Sequence, residues 1–129
     1  MKIKNSEIVQ IFNGIPSAMK KQLPVKVSYA IGRNMKMLEP IANAHEAERM
    51  KIIEKYVEKD DKGEIIVRGN EVVLTDKEGY AREIGELLEI ENEVQVHTIP
   101  FSLIEECDSE RFDVLTPAEL SAMSFMIEE

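Results

Sequence analysis

The longest periodic stretch of this chain sets the terms for the rest. From Val25 to about Lys59 the apolar residues recur at helical spacing: Val27, Ile31, Met35, Leu38, Ile41 and Ala42, then Ile52, Ile53 and Tyr56. A helix over 25–59 would be about 50 Å long at the usual rise per residue. That exceeds the ordinary length of a globular helix, so it needs a partner helix, from this chain or from a second copy. His45 and Arg49 interrupt the stripe, and Pro40 sits in its middle. A proline there removes one backbone donor and crowds the preceding turn, so the pattern predicts a helix kinked or split just before Pro40.

Shorter elements surround this one. Ile8, Ile11 and Phe12 predict a helix over Asn5–Asn13, capped by Asn5 or Ser6 and ended by Gly14 and Pro16. A second short helical stretch, Ser17–Gln22, stops before Pro24, so residues 1–22 read as short N-terminal helices. After the turn Asp60–Gly63, the runs Glu64–Val67 and Glu71–Thr75 flank Arg68-Gly69-Asn70 and predict a β-hairpin over 64–75. Thr75 and Glu78 have the spacing of a capping box for a helix over 76–91, with Tyr80, Ile84, Leu87 and Leu88 on one face. Gly85 in that helix would allow a close helix–helix approach. Glu93–Ile99 reads as a strand ended or placed at an edge by Pro100, and Phe101–Cys107 as one helical turn. Thr116-Pro117-Ala118-Glu119 combines an N-cap, a proline at the first helical position and a capping-box Glu for a last helix over 116–127.

These elements define an α+β fold in one domain: a long helix paired with a second helix through a β-hairpin, plus a short strand and a C-terminal helix. At 129 residues the chain suits a single domain, or a small core with a helical extension. Two helices joined by a hairpin are similar to the prefoldin arrangement, an analogy of fold that carries no function.

Composition narrows the function classes. No apolar run is long enough to span a bilayer, and the polar opening Met1–Glu7 lacks the apolar stretch of a signal peptide. The one cysteine, Cys107, rules out an intramolecular disulfide and a cysteine-based zinc cluster, and fits a reducing cytoplasm. Net charge is −9, unevenly placed. Residues 1–75 hold 13 Lys and Arg against 10 Asp and Glu, and residues 76–129 hold 3 against 15. The acidic C-terminal part repels phosphate backbones, which disfavours direct nucleic-acid binding; its charge reads first as a solvated surface, and otherwise as a face that docks on a basic partner or mimics nucleic acid.

The catalytic motifs fail on spacing. Glu58-x-Asp60-x-Lys62-Gly63 begins like a calcium loop but places Gly69 where a bidentate Glu is needed. Cys107 lies among Glu105, Glu106 and Asp108, whose charges disfavour a thiolate, and His45 and His97 are remote from it in sequence. Both histidines read as packing residues. The six glycines are isolated, so no phosphate-cradling loop is present, and no cofactor or metal is expected. Glu83, Glu86 and Glu89, at near-helical spacing, form the candidate interaction surface. The methionines, among them Met19, Met35, Met37, Met50, Met123 and Met126, read mainly as core filling.

The whole-chain pattern resembles a family of small uncharacterised proteins of Firmicutes phages and prophages. The resemblance rests on the opening Lys2-Ile3-Lys4-Asn5-Ser6-Glu7-Ile8-Val9, the long charged helix ending in Glu54–Gly63, the acidic Glu86-Leu87-Leu88 helix and the short closing helix. Members tend to be encoded among late phage genes near tail and lysis functions. The resemblance implies an assembly or accessory role, and it brings no catalytic residues. Pro40 and the Thr116–Glu119 segment have no counterpart in it. The expectation is a non-enzymatic, cytoplasmic protein of a phage-infected bacterium that binds phage structural or host proteins and is itself able to oligomerise. The alternative is an acidic inhibitor of a host protein such as a defence nuclease, occupying a basic groove by nucleic-acid mimicry.

Overall fold

In the computed structural model, residues 1–128 are described, except the side chain of Asp108; Glu129 lies outside the described residues. The chain opens with a strand, β1 (Lys2–Lys4), and passes directly into α1 (Asn5–Met19). The long helix α2 spans Val25–Tyr56. A hairpin of β2 (Val67–Arg68) and β3 (Glu71–Val72) leads to α3 (Lys77–Leu88) and β4 (Glu91–Glu93). Then come β5 (Ile99–Pro100), α4 (Phe101–Glu105) with a 3-10 turn to Asp108, α5 (Pro117–Met123) with a second 3-10 turn, and β6 (Ile127–Glu128). The α+β class and the pairing of a long helix with a second one through a hairpin are as the sequence predicts.

The apolar core is built at one end of α2. Ile8, Ile11, Ile15 and Ala18 of α1 meet Val27, Ala30, Ile31, Met35 and Leu38 of α2. Val94, Ile99, Ile104, Cys107, Leu115, Ala122, Met123 and Met126 close over them. No residue between Pro40 and Glu93 belongs to the buried part of this cluster. The second half of α2, the hairpin and α3 therefore form an arm, with its own small contacts around Tyr56, Val57 and Leu87. Tyr56 meets Tyr80 edge-on, and Leu87 lines the same cleft as Ile41, so α3 runs antiparallel to α2.

Several boundaries move. Gly14 and Pro16 do not end α1, and the separate Ser17–Gln22 helix is the continuation of it. Gly14 is instead a contact: a Cβ there would lie 2.6 Å from the Cβ of Ala122, so its absence lets α5 cross α1 closely. Gly85, expected to serve that purpose, faces open space. Neither Asn5 nor Ser6 caps α1. Lys4 is the N-cap residue, and the Asn5 side chain donates to the Leu87 carbonyl (2.8 Å) and accepts from Asn92 (2.8 Å). Pro40 does not split α2, which runs unbroken to Tyr56 and stops three residues short of Lys59. Pro40 and Lys36 both lie on the exposed side, so the carbonyl that loses its partner meets water.

The N-cap of α3 is Asp76, which accepts from the Gly79 amide (3.0 Å). Thr75 does not close a box with Glu78; its hydroxyl donates to the Tyr56 carbonyl (3.1 Å). A capping box does form at Thr116 and Glu119, as the sequence predicts. The predicted strand Glu93–Ile99 is replaced by two short ones. β4 pairs antiparallel with β1, and β5 pairs parallel with β6. Between them Asn34 of α2 holds the chain at His97, accepting from its amide and donating to its carbonyl, each at 2.8 Å. With its backbone groups given to a helix side chain, this segment has no strand to pair with. The last helix ends at Met123, because residues 124–128 turn to reach β5.

Candidate functional site

The three glutamates singled out by sequence lie along α3 and its C-terminal cap, and their surroundings differ. Glu83 is half-buried, with its Oε1 2.9 Å from Lys55 Nζ. The Tyr56 hydroxyl and the Lys55 ammonium hold its carboxyl below the ordinary carboxylate range, against a smaller opposing effect of burial. Glu89 is exposed and 2.8 Å from Lys4 Nζ. Glu86 is exposed and takes no part in the described ion pairs. Two of the three are thus engaged in tying α3 to α2 and β1. Glu86 remains as exposed charge in the last turn of α3, where the helix dipole disfavours negative charge and no basic residue is present.

The hairpin carries a second feature that charge counting misses. Arg68-Gly69-Asn70-Glu71 closes it with Gly69 at φ +64°, a conformation that favours glycine at the first central position of the turn. Asp60 Oδ1 accepts from the amides of Lys62 and Glu64, which shapes the preceding turn around Gly63 (φ +82°). The segment that begins like a calcium loop therefore spends its aspartate on backbone amides. Val67 faces Val72 across the ladder, and Ile65 lies on the same face two residues earlier. These three β-branched side chains are 55, 46 and 47% exposed. Ile66 and Val73 point the other way and are half-buried.

A third feature is a cleft of about 350 Å³ between α2 and the end of α3. Pro40, Ile41 and Ala44 form one wall, Leu87 and Ile90 the other, and Asn5, Asn92, His45 and Glu48 complete it. His45 is buried, as its reading as a packing residue requires, and its Nδ1 has no hydrogen-bond partner among the described residues. Ile90 is half exposed.

The remaining ionisable groups serve the fold. Glu119 is buried under α1, where Lys21 Nζ (2.6 Å), Ser17 Oγ (2.8 Å) and the Thr116 amide (2.8 Å) all donate to its carboxylate. Burial opposes its charge, but these donors outweigh it and lower its pKa to about 2. His97 is half-buried with its ring edge-on to Tyr29. Cys107 is buried in the core, its Sγ 3.7 Å from the Leu103 carbonyl. His45 and Cys107 line different cavities. Among the described residues there is no group of three or more His, Cys, Asp or Glu arranged to hold a metal ion, and no helix long and apolar enough to cross a membrane.

No family model, curated protein or solved structure matches the chain.

Proposed function

We propose that this chain acts by binding other proteins, as an assembly or accessory factor of a phage or prophage in the cytoplasm of its host. The observation that carries the reading is the exposed face of the hairpin. Ile65, Val67 and Val72 are large apolar residues that the chain places together and leaves about half in water, at the end of an arm that contributes no buried residue to the main core cluster. A contiguous exposed apolar face rimmed by charge is the usual mark of a protein-interaction surface. The phage setting follows from the sequence resemblance and is part of the proposal. A second reading, an inhibitor that occupies a basic groove of a host protein, is favoured by the seven carboxylates against two cations between Asp76 and Glu93.

A tagged chain recovered from phage-infected cells and read by mass spectrometry tests this. Virion or tail proteins that are retained by the natural chain and lost with Val67→Ser and Val72→Ser support the assembly role. A single host nuclease or defence protein, retained by those variants and lost on charge reversal of Glu86, establishes the second reading instead. Recovery of the bait alone, with self-association in solution, would overturn both.

A further inference from the structure

The cleft between α2 and the end of α3 contains one polar group that the packing leaves unanswered. His45 is 8% exposed, and its Nδ1 is shut off from water with no hydrogen-bond partner among the described residues. A buried polar atom in that state costs free energy that an aliphatic side chain in its place would not. Two turns earlier on the same face of α2 stands Leu38, fully buried, the kind of residue that packing alone requires. Stability therefore does not explain an imidazole at position 45.

The imidazole borders two voids. One is the cleft itself, about 350 Å³, walled by Pro40, Ile41, Ala44, Leu87 and Ile90. The other is a cavity of about 200 Å³ under Ile8, Phe12 and Ala42. The cleft lies at the small end of the range of ordinary ligand pockets, which run from about 300 Å³ upward. Neither Lys nor Arg lines either void. The one acid of the cleft is Glu48, whose Oε1 lies 3.1 Å from Lys51 Nζ. Asn5 and Asn92 complete the lining, and their amide nitrogens already donate to each other's side chain or to the carbonyls of Leu87 and Ile3.

We propose that the cleft binds a small, neutral, mostly apolar molecule whose hydroxyl hydrogen-bonds to His45. The apolar walls take the hydrocarbon part. A hydroxyl both donates and accepts, so it answers a neutral imidazole whichever nitrogen carries the proton. An anion would meet Glu48 and no Lys or Arg, and a cation would meet a carboxylate that Lys51 already holds. The last torsion of a histidine side chain is broad and roughly two-fold, so a turn of the ring between the two voids presents Nδ1 to the cleft. A buried water is a poorer partner, because it needs about two to four polar groups around it and the walls are apolar. The site lies where the arm meets Asn5 of α1 and Asn92 of β4. It is separate from the hairpin face and adds a small-molecule site to a chain read as a protein binder.

The test is a titration of the full isotopically labelled chain with para-tert-butylphenol, followed by NMR and calorimetry. One saturable site is expected, with shifts confined to Ile41, Ala44, His45, Leu87 and Ile90 and with the His45 ring nitrogens among the signals that move. The matched hydrocarbon, tert-butylbenzene, should bind about tenfold or more weakly, the loss expected for one hydrogen bond to a buried group. The para-tert-butylbenzoate anion should bind more weakly still. His45→Phe should melt no lower than the natural chain and should lose the preference for the phenol over the hydrocarbon. Ala44→Phe changes an exposed wall, leaves His45 in place and should abolish the saturable shifts, which keeps the test open if the first variant fails to fold. Equal affinity for the phenol and the hydrocarbon would overturn the proposal, as would shifts that leave the His45 nitrogens unmoved or an absence of saturable shifts. Ring nitrogens that already report a hydrogen bond before the phenol is added would assign a buried water to His45 and overturn it too. The Val67→Ser, Val72→Ser variant is expected to bind the phenol as the natural chain does, so failure at the cleft and failure at the hairpin are read separately.

Discussion

At the scale of single residues, two positions show how the same amino acid answers to different demands. Glycine in a helix interior costs about 1 kcal/mol relative to alanine. At Gly85 nothing lies within 4 Å of an added Cβ, so Gly85→Ala should stabilise the protein by about 0.5–1 kcal/mol in denaturant melts. At Gly14 the added Cβ would sit 2.6 Å from that of Ala122, so Gly14→Ala should destabilise by about 1–3 kcal/mol, and Ala122→Gly should restore part of the loss. Glu119 gives a pH signature. Its pKa is about 2 in the folded chain and near 4.5 when unfolded. A depressed pKa contributes stability that is fully present above the unfolded value and is lost as pH falls from about 4.5 toward 2. The shift corresponds to about 3 kcal/mol at neutral pH. Glu119→Gln should remove most of that term, leaving an acid limb flatter than that of the natural chain when unfolding is followed between pH 5 and about 2. The Thr116–Glu119 cap was legible in sequence because its partners are three residues apart. Lys21 and Ser17 were not, because they reach Glu119 from about a hundred positions away.

At the scale of elements, local punctuation misled wherever tertiary contacts outweighed it. Gly14 and Pro16 read as stops and Pro40 as a kink or a split, yet α1 runs through the first two and α2 runs unbroken through the third. A proline inside a helix costs about 3 kcal/mol in an isolated context, a cost that packing of the flanking turns can offset. Ile15 and Ala18 on either side of Pro16 are fully buried, and so is Leu38 just before Pro40. Pro40→Ala should therefore stabilise the protein by about 1–3 kcal/mol, since it restores a hydrogen bond to Lys36 on an exposed face and leaves the core untouched. No rise in the melting midpoint would mean that α2 does not depend on that turn. The cap of α3 was misplaced by one residue because Thr75 and Asp76 are both good caps, and only the bond from Thr75 to Tyr56 across the arm decides between them. Asp76→Ala should then cost about 1 kcal/mol. The strands at the two chain ends escaped notice for a related reason. Lys2–Lys4 and Ile127–Glu128 are too short to show a period, and each is a strand only because β4 or β5 lies beside it.

At the scale of the whole molecule, the chain divides its apolar residues between two uses. Ile3 of β1, Leu23 and residues of α1, the first half of α2 and the segment from Val94 to Met126 are buried together and form the main core. The arm buries Tyr56, Val57 and Leu87, and leaves Ile65, Val67, Val72 and Ile90 about half in water. Long-range pairing is not what the exposed four provide, so stability does not explain them. Replacing Val67 and Val72 together by serine should change the unfolding free energy by about 1 kcal/mol or less, as is usual for exposed positions. Ile15→Ala in the core should cost about 2–5 kcal/mol. The same division applies to charge. Glu86→Lys should raise stability by about 0.3–1 kcal/mol, because it replaces an anion at the C-terminal end of α3 with a cation. A chain whose hairpin and Glu86 variants fold as well as the natural one, or better, and yet lose their partners would have its apolar face and its misplaced carboxylate explained by binding. If the serine variant instead unfolds like a core mutant, the hairpin is part of the fold, and the interaction surface must be sought elsewhere on the arm. Melting curves of the three variants, measured beside the natural chain before any partner is added, separate these outcomes.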